Sequence, residues 1–111
     1  MSRDRWHILR DGDVLTLARR LPVRFDVSAS TRLPDGSRGR VARQVRQDIW
    51  RALRGLRGFA PVVRVTRTSE GLEVTAGGQA AGRFPRAHAE AQIAAVLQDP
   101  ENRARWMRWA G

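Results

Sequence analysis

Covalent chemistry needs nucleophiles, acid–base pairs or metal ligands, and this chain is poor in all of them. Its two histidines are His7 and His88. Neither sits beside a nucleophile in the sequence, and both read as surface residues. Cysteine is absent, which excludes disulfides and thiolate metal sites. The closest approach to a ligand cluster is Asp11-Gly12-Asp13. It lacks the later oxygen ligands of a calcium loop and reads as a turn followed by a helix cap. The remaining carboxylates are scattered, mostly next to arginines. The expectation is a non-enzymatic protein with no catalytic residue, no metal and no cofactor.

What the chain does carry is cations and indoles. Basic residues number 21 against 11 acidic ones, for a formal net charge of +10. A field of that sign on so small a body favours polyanions. Every basic residue is Arg; Lys and Tyr are missing, and Asn102 is the single Asn. This is the usage of a GC-rich, bacterial-like genome, so the choice of Arg is partly a codon habit. The excess over acids is not, because such genomes encode Asp and Glu readily.

The informative grouping lies between Arg40 and Leu56. On a helical wheel at about 100° per residue, Arg43, Arg46, Arg54 and Arg57 fall on one side, with Trp50 among them and outside the apolar stripe. An indole ringed by guanidinium groups can stack on a base while the arginines hold phosphates. The same residues also suit a packed surface, with Trp50 folded on the sheet edge or the last helix and Arg stems lying on its faces. Trp106 and Trp109 make a second grouping, on one face of a short terminal helix, with Arg103, Arg105 and Arg108 around them. They either anchor that helix to the body or offer an apolar face to a partner's groove.

Three local likenesses fall short. Gly77-Gly78-Gln79 spells the tripeptide of peptide release factors but lacks that motif's Arg and Ser-Gly context; Val74-Thr75-Ala76 precede it here. A hairpin turn accounts for both glycines. Gly36-Ser37-Arg38-Gly39 and Gly55-Leu56-Arg57-Gly58 match the GxxG loop of KH domains. That loop joins two helices, whereas each of these is expected to join a helix to a strand. From Arg40 to Leu97 the order helix, strands, helix resembles the outline of a double-stranded-RNA-binding domain. The Gly-Pro-x-His loop of those domains is replaced by Ser69-Glu70-Gly71, and their Lys-rich last helix is represented only by Arg83 and Arg86. No family is assigned on this outline.

The elements that must position these groups follow from periodicity. Residues 1–12 are a mixed lead-in that could be mobile, with Trp6, Ile8 and Leu9 able to dock on the core or begin a strand. Asp13 caps a short helix on Val14, Leu17, Ala18 and Leu21, stopped by Pro22. Val23 to Ala29 alternates as a half-buried strand, and Leu33-Pro34-Asp35-Gly36 is a turn. The strongest helix, Arg40 to Leu56, carries Val41, Val45, Ile49, Ala52, Leu53 and Leu56 as one stripe; Gly55 and Gly58 stop it. Val62 to Thr68 is a strand, Ser69-Glu70-Gly71 a hairpin loop with Gly71 left-handed, and Leu72 to Ala76 the return strand. Gly77-Gly78 turns into a short last strand, Gln79 to Phe84. Pro85 opens a helix to Gln98 with Ala89, Ile93, Val96 and Leu97 inward. Asp99-Pro100-Glu101 restarts a last helix to Trp109.

At 111 residues a single domain is expected, with its core over residues 13–98 and a terminal helix over 99–110. The fold class is α+β: a small antiparallel sheet of three to four strands, helices packed on one face, and a C-terminal helical pair. If the first strand pairs beside the hairpin, the helix after it makes a split βαβ crossover. No apolar run approaches the ~20 residues of a membrane span. Met1 to Arg10 lack the apolar stretch of a secretory signal, and cytoplasmic residence is expected. The expected function is binding of nucleic acid, RNA somewhat ahead of DNA, through Arg43, Arg46, Trp50, Arg54 and Arg57. The alternative is a protein–protein adaptor or accessory subunit that meets an acidic partner through Trp106, Trp109, Arg105 and Arg108.

Overall fold

In the computed structural model, which describes residues 6–110, eight elements follow one another: β1 (His7–Asp11), β2 (Val14–Ala18), β3 (Val27–Leu33), α1 (Arg38–Leu53), β4 (Ala60–Thr68), β5 (Gly71–Gln79), α2 (Arg86–Gln98) and α3 (Pro100–Arg108). The strands form one five-stranded sheet of order β1-β2-β4-β5-β3, antiparallel at each pairing. Because β3 and β4 both run antiparallel to the β5 strand between them, they are parallel to each other, and α1 is the crossover that links them. This is the split βαβ arrangement. The α+β class holds, and the sheet has five strands rather than three to four.

The additional strands come from residues 7–18. The lead-in expected over residues 1–12 divides: residues 1–5 lie outside the described residues, and residues 7–11 are β1. The helix expected after Asp13 is β2. Asp11 faces Val14, so Gly12-Asp13 is a two-residue turn, and Gly12 at its first position has φ +59°, as a II′-type hairpin requires. Leu15, Thr16, Leu17 and Ala18 are all buried. A strand covered on both faces reads as a continuous apolar run and imitates a helix in sequence.

The second correction concerns Gly77-Gly78. These residues are not a turn: β5 runs through them to Gln79, and residues 79–84 form no separate last strand. Gly77 lies between Ser28 and Val62, and Gly78 between Val27 and Pro61. A Cβ on Gly77 would collide with the carbonyl oxygen of Val27, and one on Gly78 with that of Ala60. The glycines therefore serve the close approach of neighbouring backbones inside the sheet. At the other end of β5, Gly71 pairs with Thr68 and has φ +134°, outside the left-handed helical region. The turn is Ser69-Glu70, held by Glu70 N–H donating to Thr68 Oγ1 at 3.2 Å.

The remaining elements sit near their expected places. The strand foreseen at Val23 starts at Val27 and runs to Leu33, because Asp26 is spent on the loop, accepting from Ala80 N–H at 2.9 Å. Helix α1 begins at Arg38, with Ser37 as N-cap, and ends at Leu53 rather than Leu56. Its stripe of Val41, Val45, Ile49 and Leu53 is buried against Leu15, Leu17, Val63, Val65, Val74 and Ala76 of the sheet. Ala89, Ile93 and Leu97 of α2 extend the same core. Asp99 caps α3, accepting from the N–H groups of Glu101 and Asn102.

Trp106 fixes α3 to the body. It is fully buried, and its Nε1–H donates to Asp48 Oδ2 at 2.7 Å. Arg103 secures the other side, donating to Thr31 Oγ1 at 2.7 Å and to the carbonyls of Leu97 at 2.9 Å and Arg32 at 2.6 Å. Among the described residues no helix is long and apolar enough to cross a membrane.

Candidate functional site

Strand register gathers four chain segments at one corner of the sheet. His7 and Val62 face Ala18 from its two sides. Trp6 just before β1, Arg19 and Arg20 just after β2, and Ala60 and Pro61 at the start of β4 therefore meet at the same end. The N–H of Arg19 donates to the Pro61 carbonyl at 3.2 Å. The short connection from Leu53 to Phe59 brings the last turns of α1 to the same corner. Together these segments enclose a cleft of about 750 Å³ lined by Trp6, Arg19, Arg20, Arg46, Trp50 and Phe59, with Ala60 and Pro61.

The lining is aromatic and cationic, and it includes no carboxylate. Trp50 is 42% exposed. Its ring is parallel to Phe59 within 8°, with centroids 6.4 Å apart; buried Phe59 thus backs a half-open indole. The guanidinium of Arg46 lies 4.5 Å from the Trp6 ring centroid and that of Arg19 lies 5.8 Å from it. Both distances are within the range where a cation is attracted to the ring face. Trp6 therefore holds two of the cleft's cations in place, while Arg20 stands exposed.

Of the residues expected to act together, Arg46 and Trp50 share this cleft. Arg43 does not; with Arg40, Gln44 and Trp109 it lines a second, more open cleft of about 460 Å³. Arg54 is the C-cap residue of α1. Arg57 lies beyond the helix, where its carbonyl accepts from Ala81 N–H at 3.0 Å. The wheel carried the helix on to Leu56, and its end at Leu53 takes Arg57 off the shared face.

The C-terminal group also divides. Trp106 is buried, Trp109 is 62% exposed, and Arg108 is exposed. Arg105 turns inward, its Nη2 donating to Asp48 Oδ2 at 2.9 Å and to Asn102 Oδ1 at 2.7 Å.

Electrostatically, α1 is one-sided. Asp48 is its single carboxylate, and it is buried. Trp106 and Arg105 bond to Asp48, and Arg51 lies 3.9 Å from it. The solvent side of α1 presents Arg40, Arg43, Gln47, Trp50 and Arg51, with Arg54 at its end, all exposed. Elsewhere Arg24 pairs with Asp26, Arg32 with Glu70 and Arg67 with Asp35. Arg40, Arg43, Arg54 and Arg57 have no ion-pair partner among the described residues. The Arg24 guanidinium, with the Ala80 N–H, holds the Asp26 carboxyl below its ordinary pKa. Arg67 and the Gly36 N–H do the same for Asp35.

Trp6, Arg19, Arg20 and Phe59 were missed by the sequence reading. A usable signal existed. Gly-Asp is a hairpin dipeptide of the II′ type, and a turn at Gly12-Asp13, extended along the register, sets Trp6 opposite Arg19. His7 is half-buried in β1 and His88 is exposed on the first turn of α2. Among the described residues no group of His, Asp and Glu could hold a metal ion. No known protein family, curated protein or solved structure matches this chain.

Proposed function

We propose that this protein is a non-enzymatic nucleic-acid-binding domain whose contact surface is the cleft at Trp50 together with the solvent side of α1. The observation that carries this reading is a half-exposed indole in a cleft whose charged residues are all arginine. An aromatic face suits stacking of a base, which is sequence-tolerant because every base has a π-face. The solvent-side guanidinium groups of Arg40, Arg43 and Arg54, which have no ion pair among the described residues, suit phosphate oxygens, which they can bind bidentately. A net charge of +10 adds long-range attraction for a polyanion. RNA is the first ligand to test, with DNA beside it. Titration of the purified protein with mixed RNA and DNA at low salt, followed by indole fluorescence, is the direct experiment. Saturable quenching that weakens steeply with salt supports the proposal; no binding at low salt overturns it.

One observation favours a second reading. Trp109 is more exposed than any other described Trp and stands beside Arg40 and Arg43. A Trp flanked by Arg is a frequent hot-spot composition in protein interfaces. An adaptor that meets an acidic protein would use this end, with Arg108, rather than the Trp50 cleft. Arg105 and Trp106 would support that surface from beneath through Asp48.

A further inference from the structure

The two clefts are not independent surfaces, because α1 supplies cations to both. Arg46 and Trp50 line one, and Arg40, Arg43 and Gln44 line the other. Arg43 and Trp50 lie within about 20° of each other around the helix and roughly 10 Å apart along it at 1.5 Å per residue. One helix face thus joins two exposed indoles, Trp50 and Trp109. Arg40 and Arg43 on that face have no ion pair among the described residues, and no carboxylate stands there.

We infer that the nucleic acid bound here is single-stranded, laid along α1 with one unpaired base on Trp50 and another on Trp109. This rests on the nucleic-acid reading proposed above and narrows it. Stacking needs the open face of a base. In a duplex those faces are covered by neighbouring pairs, whereas a single strand can splay them onto aromatic side chains. The spacing also fits. Arg43, which shares its cleft with Trp109, stands roughly 10 Å from Trp50 along the helix, the length of about three nucleotides at ~3.4 Å each. Arg40 and Arg43 then face the phosphates between the stacked bases, and Arg54 extends the track beyond Trp50. Trp109 thereby becomes part of the same site as Trp50, instead of the anchor of a separate protein interface.

The experiment is a length series with substitutions, at about 50 mM salt to keep phosphate contacts strong. Oligouridylates of two to eight nucleotides and a short RNA duplex are titrated into the wild type, Trp50→Ala, Trp109→Ala and Trp109→Phe. Circular dichroism confirms that each variant is folded. In the wild type, affinity should climb until the strand reaches both platforms and then level, with the duplex at least about tenfold weaker. Trp109→Ala should lower octamer affinity about tenfold and dinucleotide affinity by less, since a dinucleotide reaches a single platform at a time. Trp109→Phe should restore most of the loss, and Trp50→Ala should weaken both lengths. Octamer binding that ignores Trp109→Ala, or a duplex that binds as tightly as the octamer, overturns the single-strand track while the nucleic-acid reading stands. An oligoglutamate peptide binding as tightly, with the same dependence on Trp109, overturns the track in favour of an acidic protein partner. Failure of every oligonucleotide to bind the wild type overturns the track and the reading beneath it.

Discussion

The clearest contrast at the scale of residues is between two tryptophans with opposite duties. Trp106 is enclosed and spends its N–H on Asp48. Trp50 is half-open and backed by Phe59. Trp106→Phe keeps most of the ring volume but withdraws a donor from a buried carboxylate. The expected loss is about 1–3 kcal/mol, a substantial part of the ~5–15 kcal/mol available to a domain. Trp106→Ala adds a cavity and should cost about 3–5 kcal/mol. Trp50→Ala should cost no more than ~1.5 kcal/mol, the scale of an aromatic pair. Urea denaturation of the three variants ranks them, and a Trp50→Ala loss equal to that of Trp106→Ala would make Trp50 a core residue. Composition could not separate these roles. Both indoles sit among arginines in the sequence, and the difference is made by Asp48, a carboxylate placed on the buried side of α1 by helical spacing alone.

Glycine decides the largest departure at the scale of elements. Two adjacent glycines fit a turn and fit a strand squeezed between two others, and only the neighbours tell them apart. Gly77→Ala or Gly78→Ala puts a Cβ into a backbone carbonyl and should destabilise by at least about 1–3 kcal/mol. Gly55→Ala meets nothing within 4 Å and should be neutral or stabilising by ~0.4–1 kcal/mol. Thermal melts of the three variants test this, and a silent Gly77→Ala would show that the strands do not approach so closely. Helix α1 was legible because one polar and one apolar face leave a period, β4 because its run is β-branched, and α2 because Pro85 opens it ahead of the inward Ala89, Ile93 and Leu97; all three were placed within a few residues. Capping made α3 legible through Asp99-Pro100-Glu101. β2 was not legible, because burial on both faces erases its period. Losing that hairpin also lost Trp6, Arg19 and Arg20, three of the cleft's eight lining residues. The site was visible to the extent that it lies on α1 and hidden where it depends on pairing between distant strands.

On the scale of the whole molecule, charge sets both stability and binding. The carboxyls of Asp26 and Asp35 lie below their ordinary pKa of 3.8 in the folded protein, so the native state binds fewer protons than the unfolded chain in that range. The stability they contribute is present above pH 3.8 and is lost as pH falls through the lower folded values. Protonation also removes anions from a chain that already carries +10, which adds self-repulsion. Denaturation midpoints should therefore change little between about pH 7 and 5 and fall below about pH 4, and Asp35→Asn should shrink the acid-side fall. A midpoint that rises on acidification would contradict this. In binding, the same excess of cations should appear as a salt slope. If three to four arginines meet phosphates of a single strand, the logarithm of the association constant should fall with the logarithm of salt at about −2 to −3. The most direct test of the central claim is that slope, measured for single-stranded RNA with the wild type and with Trp50→Ala. The expected result is a slope in that range for both proteins, with Trp50→Ala displaced to about tenfold weaker affinity at every salt concentration. Equal affinities, or no binding at the lowest salt, would contradict it.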